Sequence, residues 1–198
     1  TGTSALFFAA QSGHLDIVKL LLESGATVDP VNLDGGTPLI VASQWQYISV
    51  VKELVKHGAD INARMTDNAT PLFVAAQNGH MELVSYLLSL NAEVNTRRTD
   101  GVTPLWMACQ MGHYGVVQEL IAHGAHPDIP RQDGTTPLFK AVQKGFADIV
   151  ELLLLHGAST ELLQNGDSLL QVATHSGHQA VEEVLIRFEA NRQQRSHV

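Results

Sequence analysis

Apolar residues along this chain fall in pairs of short clusters, with polar segments between the pairs. In the first pair, Leu6, Phe7 and Phe8 run on into Ala9 and Ala10, and the cluster stops at Gly13-His14. Leu15, Ile17, Val18, Leu21 and Leu22 form the second cluster, and spacings of three and four put them on one helical face. It ends at Gly25-Ala26, and a mostly polar segment follows. The pattern predicts two short helices and a loop, and it recurs. Thr37-Pro38-Leu39 returns as Thr70-Pro71-Leu72, Thr103-Pro104-Leu105 and Thr136-Pro137-Leu138, each 33 residues after the last. Ser4-Ala5-Leu6 is a weaker copy one period earlier, and Ser168-Leu169-Leu170 is a degraded copy 32 residues after Thr136.

The punctuation of each unit has a physical reason. The Thr hydroxyl can accept a bond from an orphan amide, so it predicts a helix N-cap. Pro follows at the first helical position, where its missing N–H costs nothing. The Gly of each Gly-His pair can take the left-handed conformation and stop the first helix. The second helix stops at Gly25, Gly58, Gly124 and Gly157, each followed by Ala. Asp34-Gly35, Asp100-Gly101 and Asp133-Gly134 are tight-turn signals in the loops. Asn68 and Asn91 stand where other units have Gly, and Asn is the next-best residue at positive φ. Asn68-Ala69-Thr70 also matches a glycosylation sequon, but the backbone reading is preferred.

Such helix pairs cannot bury their apolar faces alone; stacked copies can. The spacing and residue types resemble the ankyrin repeat family over essentially the whole chain. The resemblance implies an all-α solenoid of helix-turn-helix units joined by hairpin-like loops, with the first helices lining a concave side. The repeats are placed at 1–33, 34–66, 67–99, 100–132, 133–164 and 165–190, with a polar C-terminal tail at 191–198. One departure is clear. The family usually has His after Thr-Pro-Leu; here those positions hold Phe7, Ile40, Phe73, Trp106, Phe139 and Gln171, so packing is expected to replace polar bonding.

The ends differ. Glu182 stands in the column of Val18, Val51, Val84, Val117 and Val150, and the loop 159–166 is short, which reads as a C-terminal cap. The first unit lacks polar relief. Further repeats are expected before Thr1, with a tolerated apolar end or a contact between copies as the alternative.

Composition narrows the function classes. Hydrophobic residues make up 44%, which excludes a disordered chain, and no apolar run is long enough to span a membrane. Twelve Lys and Arg against twenty Asp and Glu give a net charge of −8, which argues against nucleic acid and anionic membrane as main partners. One cysteine, Cys109, cannot form an internal disulfide. With no signal peptide at Thr1, an intracellular, cytoplasmic or nuclear setting is expected.

No phosphate loop, HExxH or nucleophile elbow occurs, so no catalytic residue and no cofactor are expected. The ten histidines mostly occupy repeat columns strung along the stack, too far apart for a metal site, and Cys109 reads as a packed residue. Three surface features remain. Gln11, Gln44, Gln77, Gln110 and Gln143 form a column about 140° from the buried leucine of each first helix. Its amides either bond an extended partner or are helix-friendly surface residues copied with the repeat. The next column varies and includes Trp45 and Met111, which read as interface anchors; Trp106, Phe73 and Phe139 either join them or pack between repeats. Arg64, Arg97, Arg98 and Arg131 lie in successive loops, where they bind an acidic partner or pair with Asp67, Asp100 and Asp133. The resemblance also implies asparaginyl hydroxylation: Leu54, Asp60 and Asn62, like Leu87, Glu93 and Asn95, match the setting that hydroxylase prefers.

The expected function is non-enzymatic: an adaptor, scaffold or inhibitor binding a protein or peptide partner through groove and loop tips. The alternatives are a region of a larger enzyme or ubiquitin-ligase receptor, and small-molecule or oligonucleotide binding. A monomer is expected, with the apolar first unit as the face suited to a further contact.

Overall fold

A computed structural model describes residues 3–161 and 167–195. These residues form twelve α-helices and no strand. The chain divides into two compact units, Thr1–Thr99 and Asp100–Val198. The first holds α1 (Ala5–Gln11), α2 (Leu15–Glu23), α3 (Pro38–Gln44), α4 (Ile48–Lys56), α5 (Pro71–Gln77) and α6 (Met81–Ser89). The second holds α7 (Pro104–Met111), α8 (Tyr114–Ala122), α9 (Pro137–Lys144), α10 (Ala147–Leu155), α11 (Leu169–Ser176) and α12 (Gln179–Arg195).

Within each unit, helices pair in sequence and like packs on like. In the first, α1 packs on α3 and α3 on α5, while α2 packs on α4. In the second, α9 packs on both α7 and α11, and α10 on both α8 and α12. Small residues make the close approach possible. Ala42, Ala75, Ala108, Ala141 and Ala173 are all fully buried. Leu39 and Leu72 in one unit, and Leu105 and Leu138 in the other, are buried too, each contributing about 1.5–3 kcal/mol of transfer free energy.

The caps follow the expected chemistry. Ser4, Thr37, Thr70, Thr103, Thr136 and Ser168 each accept a bond from the backbone amide three residues on, at 3.1–3.3 Å. Ser168 goes further: its own amide donates to Gln171 Oε1 at 2.7 Å, closing a capping box. The polar residue after Ser-Leu-Leu in the last repeat therefore has a local use. Loop tips are joined by backbone bonds, Thr66 N to Asp34 O at 2.9 Å and Thr99 N to Asp67 O at 2.8 Å in the first unit. Gln132 N donates to Asp100 O at 3.1 Å in the second.

Asn68 and Asn91 take φ of 68° and 61°, as the backbone reading requires. A third non-glycine at positive φ, Gln46 at 59°, stands in the α3–α4 turn where other repeats have glycine. The α12 helix runs to Arg195, so it includes the first residues of the polar tail. The short last loop falls partly outside the described residues, which leave out 162–166.

Candidate functional site

The glutamines lie in the last turn of the first helices. Gln11 and Gln44 are exposed and Gln77 is half-buried in the first unit; Gln110 is half-buried and Gln143 exposed in the second. The side chains of Gln11, Gln44 and Gln110 make no hydrogen bond among the described residues, so their amides are open to a partner. Gln143 differs, since its Oε1 accepts from Lys140 Nζ at 2.7 Å. The backbone of the column is held by the histidines. His80 Nε2 lies 2.8 Å from Gln44 O, and His178 Nε2 lies 3.1 Å from Gln143 O. Each ring joins its own repeat to the preceding one. The other histidine column closes helix ends: Nδ1 of His57, His123 and His156 sits 2.9–3.0 Å from the carbonyl four residues back. No cluster of potential metal ligands occurs among the described residues.

Exposure separates Trp45 and Met111 of the variable column from the aromatic residues that follow Thr-Pro-Leu. Trp45 is 55% exposed at the end of α3, and Met111 is 48% exposed at the end of α7. Trp106 is only 2% exposed, and its indole N–H donates to Thr135 O at 3.0 Å. Of the two readings of Trp106, contact residue or packing between repeats, this geometry fits packing and removes it from the contact residues, because an indole bonded and covered on this scale is a packing element. Within the first unit Phe73 is buried, and in the second Phe139 is half-buried.

The loop arginines are largely engaged locally. Arg64 Nη2 lies 2.6 Å from Glu93 Oε2, in the next loop rather than at Asp67. Arg131 reaches Asp133 at 3.1 Å and Asp100 at 3.6 Å. The Arg98 guanidinium carbon sits 5.3 Å from the centroid of the Phe73 ring, and that of Arg131 sits 5.7 Å from Trp106. The two stacks share one offset, since 98 − 73 and 131 − 106 both equal 25. At Phe73 and Trp106 the aromatic residue after Thr-Pro-Leu therefore lies against the arginine 25 positions on, in place of the family's histidine, whereas Gln164 stands 25 positions after Phe139. That co-occurrence was present in the sequence and is the signal that the column-by-column reading passed over. Arg97 is exposed and engaged within the fold.

Asn62 belongs to a column with a structural task. Its Oδ1 accepts from Glu93 N at 2.9 Å, as Asp29 Oδ2 accepts from Asp60 N at 2.9 Å and Asp128 Oδ1 from Ser159 N at 2.8 Å. Asn95, one period after Asn62, is half-buried. Asp29 fits this task poorly. Its Oδ1 is buried without a partner, and burial pushes its carboxyl up, aided by the Asp60 charge and opposed by the Asp60 amide. A carboxyl raised in the folded state loses stability as pH rises through its folded pKa. Asp29→Asn keeps the acceptor and removes the charge. It is expected to stabilise the first unit by ~0.5 kcal/mol at neutral pH, small because water screens a half-exposed group. Urea titrations at pH 7 and pH 3.5 check this, since the gain should fade at the lower pH. Burial pushes the Cys109 thiol far up, which leaves it unreactive.

No helix among the described residues is long and apolar enough to cross a membrane. A family model described as ankyrin repeats matches the chain in three copies, over residues 1–65, 62–131 and 116–195. No curated protein matches the chain.

Proposed function

The chain belongs to the ankyrin-repeat family, whose repeats are protein–protein interaction modules, and from that premise we propose that it binds a protein or peptide partner along the exposed ends of its first helices and holds it as an adaptor, scaffold or inhibitor. Trp45 carries this reading. A tryptophan left more than half exposed forgoes burial that the same fold gives Trp106 in full. Its surroundings are suited to contact. The carbonyl of Gln44 is held by His80, and Gln46 stands at a positive φ that costs a non-glycine residue about 1–2 kcal/mol. Backbone strain beside an exposed aromatic anchor is a pairing found where surfaces recognise ligands. Around it the first helices of this unit carry no charged residue, and Gln11 and Gln44 offer free donors and acceptors for a partner backbone.

Affinity capture from the native source, followed by mass spectrometry, identifies the partner. Trp45→Ala is then expected to weaken capture by about 30-fold, the effect of losing a contact worth ~2 kcal/mol, with unchanged helical circular dichroism. Equal capture by the variant moves the contact off α3 and overturns the reading.

A further inference from the structure

Two lysines on α9 stand in columns that the other repeats fill with uncharged residues. Lys140 takes the position of Val41, Val74 and Met107, which are buried. Lys144, one turn further, takes the position of Trp45, Asn78 and Met111. Like charges at this spacing repel.

Among the described residues the fold offers them no free carboxylate; Lys140 Nζ donates only to the neutral amide oxygen of Gln143, at 2.7 Å. Lys140 is half-buried, with Nζ 5.2 Å from the Trp106 centroid and 5.9 Å from that of Phe139. The Trp106 ring already carries the Arg131 guanidinium. Both neighbouring carboxylates, Asp100 and Asp133, are reached by Arg131, and Asp133 also accepts from Thr135 N and Oγ1. Burial pulls the Lys140 amine down, Asp133 holds it up, and Lys144 and Arg131 pull it down further. Lys144 is exposed and makes no hydrogen bond or ion pair among the described residues. A favourable helix dipole accounts for one cation in the last turn of α9, but not for a second a turn earlier. Packing does not require the pair either, since other repeats use Val or Met at the first position and Trp, Asn or Met at the second.

We propose that the α9 face binds an acidic segment of the protein partner, with Asp or Glu carboxylates engaging Lys140 and Lys144 together. Charge complementarity selects the occupant: carboxylates supply the counter-charge that this locus lacks, on a chain whose net charge of −8 otherwise repels them. Gln110 and Met111 at the end of the neighbouring α7 supply an open amide and an apolar contact for the same segment. This rests on the reading of the chain as an interaction module and adds the chemistry of its partner.

Panning a phage library of random 12-residue peptides tests it. The baits are the wild-type chain and a Lys140→Met/Lys144→Met variant, which copies Met107 and Met111 from the preceding repeat and so keeps the fold. The wild-type pool is expected to be enriched in Asp and Glu over the input library, and the variant pool to lose that bias. A selected acidic peptide, made synthetically, should bind the variant at least about tenfold more weakly and lose affinity as salt rises. Enrichment without acidic bias overturns the inference and leaves the module reading standing. Acidic bias that survives in the variant pool assigns the acid to other cations and also overturns it. Absence of enrichment on either bait overturns both.

Discussion

Val117→Glu is expected to destabilise the second unit by about 4 kcal/mol or more and to lower its melting temperature by roughly 20 °C. Val117 belongs to the column of Val18, Val51, Val84 and Val150, every member of which is fully buried. Its helix, α8, packs against α10, so the new carboxylate meets apolar side chains and has no water to solvate it. Such a group resists ionisation, and its folded pKa rises well above that of the unfolded chain. The deficit therefore shrinks as pH falls and is largest at neutral pH. Glu182 provides the internal control. It holds the same column on α12 but is half-exposed, and Glu182→Val is expected to change stability by less than about 0.5 kcal/mol. Urea unfolding followed by circular dichroism compares the two. An equal, small effect for both variants would mean that the column is not a packing interface.

This contrast was legible in the sequence because burial repeats with the period. One valine in five successive copies is a statement about packing, and the glutamate in the sixth coincides with a half-exposed position. The caps were legible for the same reason: Thr-Pro at a fixed spacing has one economical geometry, and Asn68 and Asn91 substitute for glycine by a known conformational tolerance. Three features were not. Trp106 resembles an anchor by residue type, yet its exposure depends on whether Thr135 and Arg131 come back over it, which a single column does not report. Proximity in sequence pairs the arginines with nearby aspartates, whereas the partner of Arg64 lies 29 residues on, in the neighbouring loop. Lys140 and Lys144 stand out only because Asp100 and Asp133 are both engaged by Arg131, which their own columns do not report. Contacts between adjacent repeats decided each case, and these involve pairs of columns rather than single ones.

Gly112→Ala is expected to cost about 2–3 kcal/mol, and its comparison with Gly124→Ala separates two duties that glycine performs in this fold. Both residues are left-handed, with φ of 78° and 85°. An alanine at either pays ~1–2 kcal/mol for that conformation. A Cβ on Gly124 meets nothing within 4 Å, so its cost ends there. A Cβ on Gly112 would lie 2.7 Å from the ring of Phe146, at the start of α10. The ring must swing away and surrender its packing, which adds the remaining cost. The same contact recurs between Gly13 and Tyr47 and between Gly145 and His178. The glycine between paired helices is therefore also the seat on which the next repeat rests a ring. A double-mutant cycle isolates that second duty. In a Phe146→Ala background, Gly112→Ala should cost about 1 kcal/mol less than in the wild type, while Gly124→Ala should cost the same in both. Additivity of Gly112→Ala with Phe146→Ala would reduce its glycine to a helix stop and leave the ring contact without energetic weight.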